Sequence, residues 1–221
     1  RDQPRSRGLG DVYKRQVHTS HPVRCFCEDE DGNILIGTKG SGIKLLNPAT
    51  KELTDYLNES KGLISNSVYA LRRNKANDIF IGTEGTGINI LNAATGRLEK
   101  LEIPDKYPPF KAVYNIYFTN NDSLLWVGTS GYGLIKINIS REQGRYHVKG
   151  FRQYNSSDKN ISLNNDVVYA ITSDPENNML WFGTRGGGLN CINMKDNSIK
   201  SLEDMDLSLI HISEPTRPRL I

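Results

Sequence analysis

Apolar residues in this chain come in short runs of four to six, rich in β-branched and aromatic side chains and cut apart by Gly, Asn and Asp. Ser67-Val68-Tyr69-Ala70-Leu71-Arg72 is one such run, and Asn77-Asp78 turns it into Ile79-Phe80-Ile81-Gly82-Thr83. A glycine-rich turn leads to Ile88-Asn89-Ile90-Leu91-Asn92, and Ala94-Thr95-Gly96 turns the chain once more into Leu98-Glu99-Lys100-Leu101. Runs of this length and composition, separated by turn formers, predict an antiparallel meander. No stretch carries a sustained helical period with caps.

The same unit recurs. Gly-Thr-x-Gly-x-Gly followed by Ile or Leu begins at Gly37, Gly82, Gly128 and Gly183, at intervals of 45, 46 and 55 residues. Each copy predicts four strands, giving units over about 23–57, 67–103, 113–154 and 167–202. In the third unit the outermost strand is expected at Lys149–Tyr154, after a long turn around Gln143-Gly144 that includes His147. A unit of this size cannot bury its own apolar face and must stack on its neighbours. Four-stranded antiparallel sheets at this period predict an all-β fold, a β-propeller with about four blades present. Propellers have roughly four to eight blades, so two arrangements fit: a closed four-bladed ring, or part of a larger, seven-bladed ring. The second is favoured because the blade length suits wider rings and the ends of the chain look artificial.

Those ends break the pattern together. Leu207–Arg217 reads LSLIHISEPTR, and one codon choice for it has a reverse complement that encodes SRGLGDVYKRQ, which is Ser6–Gln16 without a mismatch. The string resembles the transposase adapter used in preparing sequencing libraries. Residues 1–16 and 207–221 are therefore expected to be non-native tails, to be set aside from fold reasoning, and 17–206 an interior piece of a longer chain.

Setting the tails aside changes the charge. They hold seven of the 28 Lys/Arg and three of the 25 Asp/Glu, which leaves 21 basic and 22 acidic side chains. The basic isoelectric point of about 8.7 thus reflects the tails, and neither nucleic-acid nor anionic-membrane binding is expected. No apolar run approaches the roughly 20 residues that span a bilayer. Cys25, Cys27 and Cys191 have no metal-ligand spacing and read as small packing residues, with the redox compartment open.

The large residue before each Gly-Thr ending (Leu35, Phe80, Trp126, Trp181) reads as inter-blade packing, because it recurs at one place in every unit. Tyr69, Tyr114 and Tyr169 are expected to pack likewise, with partners for their hydroxyls. The repeated glycines permit positive φ and close backbone approach. They are not phosphate cradles, since no helix follows and no Lys-Ser/Thr closes the motif. Asp29-Glu30-Asp31-Gly32-Asn33 is a hairpin turn rather than a calcium loop, which needs about twelve residues, a terminal Glu and flanking helices. No cofactor and no metal site is expected.

Asn66-Ser67-Val68-Tyr69-Ala70-Leu71 and Asp166-Val167-Val168-Tyr169-Ala170-Ile171, with Leu125-Trp126-Val127-Gly128-Thr129 and Leu180-Trp181-Phe182-Gly183-Thr184, resemble the two-component-regulator propeller repeat. The first two units depart from it in carrying Leu35 and Phe80 at the Trp position. The resemblance implies the periplasmic sensor region of a bacterial hybrid histidine kinase, a homodimer in the parent protein, and commonly an oligosaccharide as ligand. No kinase or receiver motif is present in this chain, and no direct membrane contact by it is expected.

Candidate ligand contacts are the variable slots of otherwise fixed turns: Lys39, Glu84, Tyr132 and Arg185, with Asn66 and Asn165 in the blade-to-blade connections. Both kinds of loop are expected on one face of the propeller, and loops on a rigid scaffold commonly carry recognition. Tyr132 offers a stacking face and Arg185 a planar donor fork. Two other functions compete with a binding module. A propeller lyase needs a titratable group near the axis, yet His18 and His21 precede the first unit and none of the histidines falls on a predicted innermost strand; no catalytic residue is therefore assigned. A protein-interaction scaffold is the third reading.

Overall fold

The structure is a computed structural model that describes residues 19–158 and 163–201. Both tails read from the sequence, and Leu202, lie outside the described residues. Four four-stranded antiparallel sheets follow one another along the chain. The first blade is β1 (Val23–Glu28), β2 (Ile34–Thr38), β3 (Ile43–Leu46) and β4 (Leu53–Leu57). The second is β5 (Val68–Arg73), β6 (Ile79–Thr83), β7 (Ile88–Leu91) and β8 (Leu98–Lys100). The third is β9 (Val113–Thr119), β10 (Leu124–Thr129), β11 (Leu134–Glu142) and β12 (Arg145–Tyr154). The fourth is β13 (Val168–Asp174), β14 (Met179–Thr184), β15 (Gly188–Asn193) and β16 (Ile199–Ser201). This is a β-propeller whose blades do not close into a ring.

Hydrophobic burial runs between blades. Leu35, Ile43, Val68, Leu71 and Ile81 form the core between the first and second blades. Phe80, Ile88, Val113, Ile116 and Leu125 form that between the second and third. Trp126, Leu134, Val168, Ile171 and Phe182 form that between the third and fourth. At the Trp position Leu35, Phe80 and Trp126 are at most 1% exposed, as inter-blade packing requires, whereas Trp181 in the last blade is half-buried.

The Gly-Thr ending has a separable cause for each residue. A Cβ at Gly82 would lie 2.5 Å from Val113 Cγ1 and 2.8 Å from the Val113 carbonyl oxygen, so the next blade's inner strand seats where a side chain would be. Thr129 Oγ1 donates to the Gly133 carbonyl (2.8 Å) and accepts from the Tyr132 amide (3.1 Å), which closes the turn from within. Gly133 itself stands at φ 72°, with the Tyr154 carbonyl oxygen 2.0 Å from any Cβ it would carry.

Three details differ from the sequence reading. A short 3₁₀ turn, Glu59–Lys61, precedes the second blade, capped by the Asn58 side chain. The outermost strand of the third blade begins at Arg145 rather than Lys149, and His147 pairs with Ser140 inside it instead of sitting in a turn. The longer hairpin is held because it folds onto the second blade: Tyr146 donates to Asp78 Oδ2 (2.7 Å), Arg141 pairs with the same carboxylate (3.1 Å), and Asn92 Nδ2 donates to the Gly144 carbonyl (3.2 Å).

The third difference concerns the tyrosines. Each inner strand carries a register shift at one residue, skipping Arg24, Tyr69, Tyr114 and Tyr169 in turn. A bulge leaves its extra residue unpaired and re-aims the side chain. The four residues consequently leave the inter-blade cores. Tyr69 and Tyr114 meet edge to face at 4.9 Å, Tyr114 and Tyr169 stack at 5.4 Å, and Arg24 lies 6.0 Å from the Tyr69 ring centre. Tyr169 is 51% exposed. The expected core packing of these tyrosines is therefore corrected: they line successive innermost strands as a row.

Candidate functional site

In a meander the hairpins alternate ends, so the turns between second and third strands share one face with the connections between blades. Hydrogen bonds join the two directly. The Gly40 and Gly42 amides donate to the Asn66 carbonyl (3.0 and 2.8 Å), the Gly87 amide to Phe110 (3.0 Å), and the Gly131 and Gly133 amides to Asp166 (both 2.9 Å). Each of the first three glycine-rich turns is thereby fastened to the segment that enters the next blade. The short bridges Lys39↔Ser67, Thr86↔Lys111 and Ser130↔Val167 repeat the same join.

These bonds sort the six candidate residues. Asn66 is committed to structure: besides its carbonyl, its side-chain oxygen accepts from the Glu59 amide (2.8 Å), and its own amide donates to the Glu59 carboxylate (2.8 Å). Asn165 caps the entry to the fourth blade, accepting from the Val167 amide (2.9 Å). Tyr132 is half-buried and packs against the core between the second and third blades, with its carbonyl accepting from Gln153 (2.9 Å). Lys39, Glu84 and Arg185 use their backbone amides to reach Pro22, Ser67 and Val167, while their side chains are exposed. The turn face thus presents two cations and a carboxylate, one from each of three blades.

The aromatic row adjoins this face. Burial first, and the Glu84 charge second, push the Tyr69 phenol above its ordinary pKa, which places Glu84 within electrostatic reach of the row. Sequence reasoning missed this row, although a signal was present. In Val68-Tyr69-Ala70-Leu71 the apolar residues Val68 and Leu71 stand three apart and are both buried. A regular strand of period two would put them on opposite faces, yet both enter the core between the first and second blades, which the bulge at Tyr69 allows.

Two shallow clefts flank the turn face. One of about 320 Å³ is lined by Ser41, Lys44, Asp55, Asn58 and Asn66, and the Lys44 ammonium hydrogen-bonded to Asp55 holds that carboxyl below its usual range. The other, about 330 Å³, is lined by Thr86, Lys100, Glu102, Tyr107 and Phe110. Lys39, Glu84, Tyr132, Asn165 and Arg185 line neither. Chemically the face offers charged donors and acceptors, amides and aromatic edges, which is equipment for non-covalent recognition. Among the described residues no three His, Cys, Asp or Glu side chains converge as a metal site. His21 touches Ser41 beside the first turn and His147 is on the outermost strand of its blade.

Residues 19–40 and 162–186 match the two component regulator propeller family. These matches fall on the first and fourth blades. A comparison with curated proteins returns no match. Among solved structures, the extracellular domain of a protein described as a hybrid two component system from B. thetaiotaomicron superposes with a TM-score of 0.63 at 23% identity, over 84% of this chain and 24% of that one. A second extracellular domain from the same organism, described as a one component system, gives 0.50 at 20% identity, over 80% and 28%. The β-propeller domain of Myceliophteria thermophila Cps50 (Swd1) gives 0.56 at 14% identity, over 83% and 55%. The chain thus spans about a quarter of the two bacterial domains, and these likenesses speak to the fold. Among the described residues no helix is long and apolar enough to cross a membrane.

Proposed function

We propose that this chain is a ligand-sensing segment of the extracytoplasmic propeller of a two-component sensor, a periplasmic region whose parent protein is a dimeric hybrid histidine kinase and whose ligand is a carbohydrate. The observation that carries the reading is the family match in the first and fourth blades, joined to a turn face in which the repeat residues are used up by architecture. What remains free to vary there is Lys39, Glu84 and Arg185, exposed on a scaffold fastened blade to blade. Rigid support with variable exposed side chains suits recognition rather than chemistry.

The reading is tested by the reading frame on either side of this segment in its native gene. A membrane-spanning helix followed by kinase and receiver modules is expected. A frame that stops directly after a closing blade would overturn it. The ligand contacts are tested separately: Arg185→Ala and Glu84→Gln are expected to weaken binding of the parent's inducing sugar about tenfold each, by calorimetry, and unchanged affinity in both would remove the turn face from the binding site.

A further inference from the structure

At the strand position that pairs with the Trp slot, three blades place an apolar residue: Leu45, Ile90 and Cys191. The third blade places Lys136 there, opposite Trp126. Its neighbour across the sheet, on the outermost strand, is Arg152, so two cations stand side by side at the seam with the fourth blade. Like charges at this spacing repel, and a half-buried ammonium has lost part of the water that would screen it. Burial first, and the Arg152 charge second, lower the Lys136 pKa from its ordinary value. Among the described residues neither cation pairs with a carboxylate: Glu142 is taken by Lys149 (2.7 Å), and Asp196 accepts from the Ser198 amide of its own turn (2.8 Å).

The two cations are held in place. The Lys136 ammonium lies 5.3 Å from the Trp126 ring centre and the Arg152 guanidinium 4.9 Å from that of Tyr154, and the two rings stack at 6.2 Å. Asn197, in the last turn of the fourth blade, closes the arrangement. Its side-chain oxygen accepts from Lys136 Nζ (2.8 Å) and from the Tyr154 hydroxyl (3.2 Å), which leaves its NH2 group as a further donor. Gly96 holds the same left-handed place in the second blade (φ 64°, against 60° for Asn197) and has no side chain to offer. Between these groups is a cleft of about 270 Å³ lined by Lys136, Asn138, Gly150, Phe151, Arg152 and Asn197. A Cβ on Gly150 would lie 3.1 Å from Asn138 Nδ2, so glycine there keeps the cleft open to that amide. The volume lies just under the roughly 300 Å³ at which small-molecule sites begin, which suits an ion.

We propose that this cleft, in the seam between the third and fourth blades, binds a tetrahedral oxyanion, phosphate or sulfate, through the Lys136 ammonium, the Arg152 guanidinium and the side-chain amides of Asn138 and Asn197. A planar guanidinium fork matches such oxygens, and charge-assisted hydrogen bonds are the stronger ones. The anion neutralises two cations that otherwise repel, and it ties β12 to the last turn of the fourth blade. The site shares no residue with the turn face that carries Lys39, Glu84 and Arg185, so it stands or falls apart from the sensor reading.

The full chain is titrated with sodium phosphate and sodium sulfate, against sodium chloride at matched ionic strength, by calorimetry and by thermal unfolding. One oxyanion per chain is expected, with a saturable rise in the thermal midpoint that chloride does not give. Lys136→Met, which restores the apolar character of the other blades, and Arg152→Gln are each expected to weaken binding about tenfold or more. Asn197→Gly, which keeps the left-handed turn, is expected to weaken it about threefold. Arg97→Gln, an exposed change elsewhere, leaves binding unaltered. Methyl phosphate separates two sources of the same chemistry: binding equal to that of phosphate assigns the site to a terminal group of a larger molecule, and its loss assigns the site to the free ion. Absence of phosphate and sulfate binding, a midpoint that chloride raises equally, or binding undiminished in both Lys136→Met and Arg152→Gln overturns the site.

Discussion

The seams between blades and the two outer faces of the array are built from the same residues in different company. Leu71, Ile116 and Ile171 each face the preceding blade and are at most 8% exposed; Phe26, their counterpart in the first blade, is 64% exposed. Ile43, Ile88 and Leu134 face the following blade with no exposure, and Leu189, their counterpart in the fourth, is 40% exposed. A Cβ on Gly37, Gly82 or Gly128 would press on a valine of the next inner strand, and one on Gly183 would meet nothing within 4 Å. The difference teaches that burial here belongs to the interface and not to the residue. Sequence position sets what a side chain is suited to cover, and a neighbour decides whether it is covered. Both outer faces therefore carry apolar surface suited to another blade, a liability for association when uncovered.

Four tests sharpen this contrast. The largest effect is expected for Trp126→Ala, which empties a fully buried site stacked on Tyr154 and loses the hydrogen bond to Thr119 Oγ1 (3.0 Å); the cost is about 3–5 kcal/mol. Trp181→Ala, at the same position on the partly open blade, is expected to cost about half as much by urea denaturation. Equal losses would mean that the outer face is covered in solution.

Next comes Gly82→Ala, whose added Cβ would meet Val113 side chain and backbone; overpacking of this kind costs about 1–3 kcal/mol. Gly183→Ala is expected to stay within about 0.5 kcal/mol of the unsubstituted protein. A comparable penalty at Gly183 would again report a neighbour on that face.

The third test reads the first seam through pH. Burial above all, with a smaller contribution from the charge of Cys27, pushes the Cys25 thiol up to about 12. A raised pKa in the folded state means that the unfolded chain ionises first. The stability held by this thiol is complete below its ordinary pKa near 9 and is lost as pH climbs from there to about 12. The slope is at most about 1.4 kcal/mol per pH unit. Cys25→Ala is expected to flatten the alkaline limb of the stability profile; an unchanged limb would mean that the seam opens to water.

A local effect is expected at the hairpin of the third blade, which reaches back onto the second. Tyr146→Phe removes its hydroxyl from Asp78 and leaves that buried carboxylate with Arg141 and the Ala93 amide. A loss of about 1 kcal/mol is expected, with hydrogen exchange faster in β8 and β12 and unaltered in β14. Exchange that rises equally in all blades would show that the clasp is not local.

Much of the fold was legible because a propeller repeats one local solution. The Gly-Thr-x-Gly-x-Gly turn, the large residue before it and the Val that seats on the glycine can each be read in a window of a dozen residues. The candidate site was less legible. Asn66 and Tyr132 vary among the blades, which suggested recognition, yet one is spent on Glu59 and two glycine amides, and the other on a core. Variation in a turn signals freedom from the repeat, and packing against a loop outside the repeat produces it as well as binding does. The clasp from Tyr146 to Asp78 joins residues 68 positions apart, and no local pattern carries such a contact.

By itself the sequence determined the repeat, the number and order of strands in each blade, and the residues that would pack between blades, since these follow from local turn chemistry and from alternation along a strand. Tertiary structure alone decided which surfaces were covered, where the bulged tyrosines pointed, and which turns were fastened to the next blade. The physical reason is range. Turn preference and side-chain alternation act over a few residues, whereas burial, stacking between blades and the walls of a cavity depend on neighbours that sequence distance does not specify.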